Sequence, residues 1–124
     1  MHTRRILIVE DDPMVALDLE GIVLDMASGL AQVAVAASVL EARRALADAA
    51  FDAALLDIDV TDGTTFEVAV LLHERGTPFA FVSGSRPEEV PLPLRNIPFV
   101  PKPYDPAVIE QTLAARLAPV ATRV

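Results

Sequence analysis

The stretch RRILIVEDDPMVALDLEGIVLDM, residues 4–26, contains two patterns that together indicate one structural unit. Residues 4–10 form a short apolar run of the kind that buried strands show. The apolar residues that follow recur at helical spacing, and Asp12 with Pro13 suits a helix N-cap and a first helical residue. The stretch therefore predicts a buried strand followed by an amphipathic helix.

The same alternation of strand and helix patterns continues along the chain. Further strand patterns occupy residues 31–37, 51–58, 78–83 and 97–101, and further helical patterns begin at Ser38, Thr64 and Asp105. Apolar strands that alternate with amphipathic helices are typical of a parallel sheet with helices on both faces. We therefore predict a doubly wound α/β domain.

One unit departs from this alternation. The segment between the fourth and fifth strand patterns, residues 86–98, contains prolines at positions 87, 91, 93 and 98. A proline inside a helix costs about 3 kcal/mol, because it removes a hydrogen bond and clashes with the preceding turn. The fourth helix is therefore predicted to be short or absent.

Composition narrows the class of protein. The length of 124 residues and the 52% of hydrophobic residues suit a single domain, which we predict to span residues 1–124 with its core at about 4–118 and no output domain. The absence of cysteine excludes disulfides and thiolate metal sites. A net charge of -8 argues against nucleic-acid binding. The apolar run near the N-terminus is too short for a signal peptide or membrane span, so a cytoplasmic protein is expected.

Polar residues follow four of the five predicted strands. In open α/β sheets, ligands bind beyond the carboxyl ends of the strands. The residues at these ends are Glu10, Asp11 and Asp12 after the first strand, Asp57 and Asp59 after the third, Ser83 after the fourth and Lys102 after the fifth. Crowded carboxylates favour a hard divalent ion such as Mg²⁺.

The same set of residues suits phosphate chemistry. A carboxylate beside Mg²⁺ can attack phosphorus and form an acyl phosphate. The incoming phosphoryl oxygens then need positive charge and hydrogen-bond donors, which Lys102 and Ser83 offer. Asp62 and Gly63, which follow the acids of the third strand, indicate a turn.

Four segments of the chain carry a further pattern, and they are ILIVED (6–11), LLDID (55–59), FVSGS (81–85) and VPKPY (100–104). Taken in this order, they resemble the receiver domain of bacterial two-component response regulators, in its stand-alone, single-domain form. The resemblance covers nearly the whole chain, from Arg5 to about Leu117, and implies a flavodoxin-like five-stranded parallel sheet in the order 2-1-3-4-5.

The resemblance assigns roles to the acidic residues. Asp57 is implied to be the phosphoacceptor. Glu10, Asp11 and Asp57 are implied to bind Mg²⁺, the cofactor that receivers use. The backbone carbonyl of Asp59 is implied to be a further ligand, and the role of the Asp59 side chain is left open.

The resemblance also assigns residues to phosphoryl binding and switching. Ser83 and Lys102 are implied to bind the phosphoryl group, and Ser83 is the switch hydroxyl. Phe99 occupies the position of the switch aromatic residue. The peptide bond between Lys102 and Pro103 is implied to be cis, which makes Pro103 a cis-proline candidate.

The resemblance implies signalling through protein partners. A sensor histidine kinase or a histidine phosphotransfer protein is the implied phosphoryl donor, and an unknown downstream protein is the target. No nucleic-acid or membrane partner is expected. The implied chemistry is not enzymatic beyond slow self-dephosphorylation. The chain departs from the usual receiver pattern at Thr61, where receivers often have proline, and at the acid Asp59.

Two other functions fit parts of the sequence. Residues 55–61, LLDIDVT, also resemble the D-x-D-x-T opening of haloacid-dehalogenase-type phosphatases, with Asp57 as nucleophile and Asp59 as acid/base. That motif usually ends the first strand of its domain, and here it ends the third. A receiver that acts as a phosphate-independent adaptor is the other alternative, which the irregular residues 86–98 leave open.

Overall fold

The chain folds as strands that alternate with helices around one central sheet. The computed structural model describes residues 3–27 and 30–121, with side chains described up to Leu117. The elements are β1 (Arg4–Val9), α1 (Pro13–Met26), β2 (Ala31–Ala36), α2 (Val39–Asp48), β3 (Ala53–Leu56), β4 (Asp59–Val60), β5 (Gly63–Thr64), α3 (Phe66–Glu74), β6 (Phe79–Ser83), β7 (Phe99–Pro101) and α4 (Pro106–Ala121). The predicted domain limits at residues 1 and 124 lie outside the described residues. Among the described helices, none is long and apolar enough to cross a membrane.

The sheet has the predicted topology. Within the described residues, five parallel strands pair in the order β2-β1-β3-β6-β7. With β6 and β7 counted as the fourth and fifth long strands, this is the order 2-1-3-4-5, and the prediction of a doubly wound α/β fold is confirmed. A small antiparallel hairpin, β4-β5, follows β3 and was not predicted.

The core lies in two layers, one on each face of the sheet. Alternate residues of a strand point to opposite faces, so Leu56 of β3 packs with α2 and α3, and Leu55 packs with α1 and α4. Phe81 of β6 is fully buried and makes edge-to-face contacts with Phe66 and Phe79. Because both faces are covered, the central strands are apolar throughout.

The helices begin and end at the residues that the sequence indicates. The Asp12 carboxylate accepts hydrogen bonds from the backbone N–H groups of Met14 and Val15, which begin α1. Gly76 follows α3 with a φ of 71°, the left-handed conformation that favours glycine after a helix. These caps set the boundaries of the helices. They therefore also determine which polar residues lie between the end of a strand and the start of the next helix.

The segment 86–98 contains no α-helix, as predicted. Two short 3₁₀ turns, Pro87–Glu89 and Leu92–Leu94, stand in its place. The Arg95 guanidinium holds this segment together, since its Nε donates to the Val90 carbonyl at 2.7 Å and its Nη2 to the Glu88 carbonyl at 2.6 Å. A single side chain thus links the two turns across several residues of chain.

Replacement of Arg95 with alanine is expected to loosen this segment locally. Each of the two lost hydrogen bonds contributes about 1 kcal/mol, so the hydrogen-bonded backbone amides of Glu89, Val90, Leu94 and Arg95 should exchange with solvent about 30-fold faster. Hydrogen exchange followed by NMR measures this. Arg86→Ala is the matched control, since Arg86 is exposed and lies 3.9 Å from its ion-pair partner Glu89. Equal exchange rates in the two variants would contradict the role given to Arg95.

Candidate functional site

Backbone hydrogen bonds bring the ends of four strands together at the carboxyl edge of the sheet. The Asp57 N–H donates to the Val9 carbonyl at 2.9 Å, which places the residue after β3 beside the residue before Glu10. The Lys102 N–H donates to the Ser83 carbonyl at 3.0 Å, which joins the ends of β6 and β7 in the same way. The sheet order therefore sets the acids of β1 and β3 next to the hydroxyl and ammonium of β6 and β7.

Three carboxylates converge at this edge. Glu10, Asp11 and Asp57 each offer an oxygen, and these oxygens all lie within 4.8 Å of one another. Glu10 is buried, with 2% of its surface exposed, Asp57 is buried with 8% exposed, and Asp11 is half-buried. Mg²⁺ prefers hard oxygen ligands, and these three residues could hold that ion.

Lys102 acts as the counter-ion of the buried acids. Its Nζ lies 2.6 Å from Glu10 Oε1 and 3.1 Å from Asp57 Oδ2, and it donates a hydrogen bond to each. The second carboxylate oxygen of Glu10 accepts the backbone N–H of Asp12 at 3.1 Å. The negative charge of the pocket is thus partly neutralised by the protein itself.

The pKa values of Glu10 and Lys102 depend on the burial of the two side chains and on the ion pair between them. Burial raises the pKa of Glu10, and the hydrogen bond from Lys102 only partly offsets the effect. Burial lowers the pKa of Lys102, but the hydrogen bond to Glu10 and the attraction of Asp57 outweigh it, so the pKa stays above its ordinary value. Lys102 is therefore a cation at neutral pH.

Ser83 lies beside the amide that follows Asp57. Its side chain is buried, and its Oγ accepts the backbone N–H of Ile58 at 3.4 Å and that of Ser85 at 3.2 Å. The same Ile58 N–H donates to Asp57 Oδ1 at 2.8 Å. The serine hydroxyl, the amide and the acid thus belong to one hydrogen-bonded group.

The loop after Asp57 is held by contacts that the sequence did not indicate. Thr65 is fully buried, and its hydroxyl donates to the Asp57 backbone carbonyl at 2.6 Å. The Asp59 carboxylate accepts the Ser85 hydroxyl at 2.6 Å, so its side chain is bound to the loop after β6. Ser85 follows a glycine and Thr65 follows another threonine, and nothing near either residue in the sequence indicates its partner.

The remaining predicted residues lie on β7 and the loop that follows it. The peptide bond between Lys102 and Pro103 is cis. Phe99 is half-buried, with its ring 6.5 Å from that of Phe81, and it lines a small cavity with Val90 and Leu94. The aromatic side chain thus lies between the sheet and the irregular segment 86–98.

Solved structures of other proteins share this fold. The REC domain of the PhyR response regulator of Erythrobacter litoralis is 26% identical, with a TM-score of 0.81, 95% of this chain covered and 92% of that one. SdrG from Sphingomonas melonis Fr1 is 31% identical, with a TM-score of 0.77 and coverage of 94% and 98%. The HemR receiver domain of Leptospira biflexa is 26% identical, with a TM-score of 0.75 and coverage of 93% and 94%. No protein-family model and no curated protein sequence matches the chain.

Proposed function

Because this chain belongs to the receiver domains of response regulators, we propose that it is a signalling switch in which Asp57 accepts a phosphoryl group. The donor is a sensor histidine kinase or a histidine phosphotransfer protein. The observation that carries the proposal is the convergence of Glu10, Asp11 and Asp57 with Lys102 and Ser83 at one edge of the sheet. Phosphorylation needs a nucleophilic acid, positive charge and a hydroxyl donor together, and this edge supplies all three.

Mg²⁺ is the cofactor that the acidic pocket fits. Glu10, Asp11 and Asp57 would hold it through their carboxylates. The backbone carbonyl of Asp59 is the further ligand in this proposal. The ion supplies the positive charge that lets a carboxylate approach a phosphoryl group. Because Lys102 already neutralises part of the negative charge, the carboxylates of Glu10 and Asp57 have a partner before the ion binds.

The residues of the pocket have separate tasks in the transfer. An Asp57 carboxylate oxygen attacks phosphorus, and the bond between phosphorus and the donor nitrogen breaks. Lys102 shifts its hydrogen bond from the Asp57 carboxylate to a phosphoryl oxygen, for which its flexible stem is suited. The Ser83 hydroxyl and the Ile58 N–H donate to the remaining oxygens.

In this proposal, the loop after β6 transmits the conformational change from the pocket to the protein surface. When Ser83 turns toward the phosphoryl group, it pulls on Ser85 and on the segment 86–98 that follows. Phe99 packs beside this segment and would repack with it, which changes the surface around β6 and β7 for a downstream protein partner. The protein works in the cytoplasm in this proposal, where such donors act, and its own reaction is slow self-dephosphorylation.

Labelling with a small phosphoryl donor tests this function. Acetyl phosphate with Mg²⁺ is expected to add one phosphoryl group per chain, visible by intact mass, as an acid-stable and base-labile acyl phosphate. Chelation of the metal should reduce labelling by about tenfold or more, because the carboxylates then repel the donor. Labelling that is absent, or that is the same with and without Mg²⁺, would contradict the proposal.

Two further measurements separate this function from the two alternatives. Rapid multiple-turnover release of phosphate from a small phosphoester would favour a phosphatase that uses Asp57 and Asp59. A protein that takes no label, yet binds its partner equally with and without beryllofluoride, would be an adaptor.

A further inference from the structure

Asp62 connects the loop after Asp57 to a distant helix. Its carboxylate accepts the backbone N–H of Val39 at 2.7 Å and that of Leu40 at 3.1 Å, which are the first two N–H groups of α2. Asp62 lies in the turn of the β4-β5 hairpin, more than twenty residues further along the chain. Backbone N–H groups at a helix start attract carboxylates, so the contact is favourable.

Helix α2 already has an N-terminal cap from its own sequence. The contact with Asp62 is therefore not needed only to begin this helix. The Ser38 hydroxyl accepts the Glu41 N–H at 3.1 Å, and the Glu41 carboxylate accepts the Ala37 N–H at 3.0 Å. This is a local capping arrangement that begins α2 from within its own sequence. The β4-β5 hairpin has a buried residue, Val60, in β4, and its tip lies at Asp62.

The hairpin is intrinsically weak. Each of its strands has two residues, Asp59–Val60 and Gly63–Thr64, and a hairpin of this size does not hold its shape alone in water. Gly63, the first residue of β5, has a φ of 140°, a backbone conformation that favours glycine. The base of the hairpin is tied by Thr65 and Asp59, and Asp62 ties its tip.

We propose that Asp62 is a positioning residue, which fixes the hairpin so that the Asp59 backbone carbonyl and Thr61 stay at the acidic pocket. The inference rests on the proposed function, because the pocket is taken to bind Mg²⁺. Thr61 Oγ1 lies 3.5 Å from Asp11 Oδ2, so the hairpin already touches one carboxylate of the pocket. Without Asp62 the hairpin tip is released, and the carbonyl loses its fixed direction.

Binding of Mg²⁺ and formation of the Asp62 contact must influence each other equally. If the Asp62 contact raises the affinity for Mg²⁺, then Mg²⁺ must strengthen the Asp62 contact by the same factor. The amides of Val39 and Leu40, which donate to Asp62, should therefore exchange more slowly with Mg²⁺ present. A residue that only caps a helix would not transmit metal binding to these two amides.

The test compares Asp62→Ala with Ser38→Ala, which removes a cap from the same helix and leaves the hairpin contact. NMR titration with Mg²⁺ is expected to give a dissociation constant about tenfold higher for Asp62→Ala, a smaller increase for Asp62→Asn, and no change for Ser38→Ala. In the wild type, Mg²⁺ should slow exchange at Val39 and Leu40 several-fold, and in Asp62→Ala it should not.

The outcomes distinguish this inference from the function on which it rests. A wild-type protein that binds no Mg²⁺ would overturn both. A wild type that binds Mg²⁺, with equal affinity in Asp62→Ala, would overturn the positioning role alone. Equal weakening in Asp62→Ala and Ser38→Ala would also overturn it, since helix stability would then be the cause. The exchange measurement uses the wild type alone, so it tests the coupling between Mg²⁺ and the Asp62 contact even if a variant unfolds.

Discussion

Asp57→Asn is expected to abolish labelling by acetyl phosphate. The amide that replaces the carboxylate is a poor nucleophile, and its carbonyl oxygen carries no charge to attack phosphorus. We expect the initial rate of labelling to fall by at least about 100-fold. The side chain is nearly buried and makes hydrogen bonds to Ile58 and Lys102 that asparagine can partly keep, so the fold should remain.

Asp48→Asn provides the matched control for this substitution. Asp48 lies on the exposed end of α2 and the change of charge is the same. Its labelling should equal that of the wild type, as measured by intact mass over time. Persistent labelling of Asp57→Asn at the wild-type rate would show that another carboxylate accepts the phosphoryl group.

Lys102→Met is expected to destabilise the protein by about 3 kcal/mol when no metal is present. The substitution keeps the aliphatic stem and removes the charge. The Glu10 side chain is 1% exposed, so it would keep a buried carboxylate next to Asp57 without the ammonium that neutralises both. Urea unfolding measures the loss, and saturating Mg²⁺ should recover much of it, because the ion replaces the missing positive charge.

The loss should also depend on pH. Burial already raises the pKa of Glu10, and removal of the Lys102 hydrogen bond raises it further. A carboxyl group whose folded-state pKa is above its unfolded value stabilises the protein at low pH, and this contribution is lost as pH rises through the folded-state pKa. The penalty of Lys102→Met is therefore expected to be smaller near pH 5 than near pH 8.

Arg43→Met is the control for the loss of a cation. Arg43 pairs with Glu67 at 3.3 Å, and both side chains are more than half exposed, so this substitution should cost about 0.5 kcal/mol at either pH. If Lys102→Met cost no more than Arg43→Met, the view of Lys102 as the internal counter-ion of the pocket would be wrong.

The strands and helices of the fold could be predicted because short stretches of sequence specify each of them. Apolar runs such as residues 4–9 and helical spacing after Pro13 specify strands and helices within short stretches of chain. The caps at Asp12 and Ser38 mark where helices begin, and the prolines of segment 86–98 exclude a helix. Alternation of such units leaves few topologies for a parallel sheet, and the order of its strands came from the resemblance to receiver domains.

The contacts within the site were harder to predict because they join residues that are distant in sequence. The acids at the strand ends were found from the rule that ligands bind at this edge. The Asp62 contact with α2 was not found, since Asp62 with Gly63 indicates a turn, and nothing near it identifies a distant helix start as its partner. The bond between Asp59 and Ser85 likewise depends on the register of β3 with β6.

A structure of the protein with Mg²⁺ and beryllofluoride tests the central claim, that the strand ends form one phosphoryl-accepting pocket. The predicted result is beryllofluoride bonded to an Asp57 carboxylate oxygen, with Mg²⁺ held by Glu10, Asp11, Asp57 and the Asp59 carbonyl. Lys102 Nζ and Ser83 Oγ should lie within hydrogen-bond distance of fluorine. Beryllofluoride bonded to a different carboxylate, or Lys102 still bound to Asp57 with no ion in the pocket, would contradict the claim.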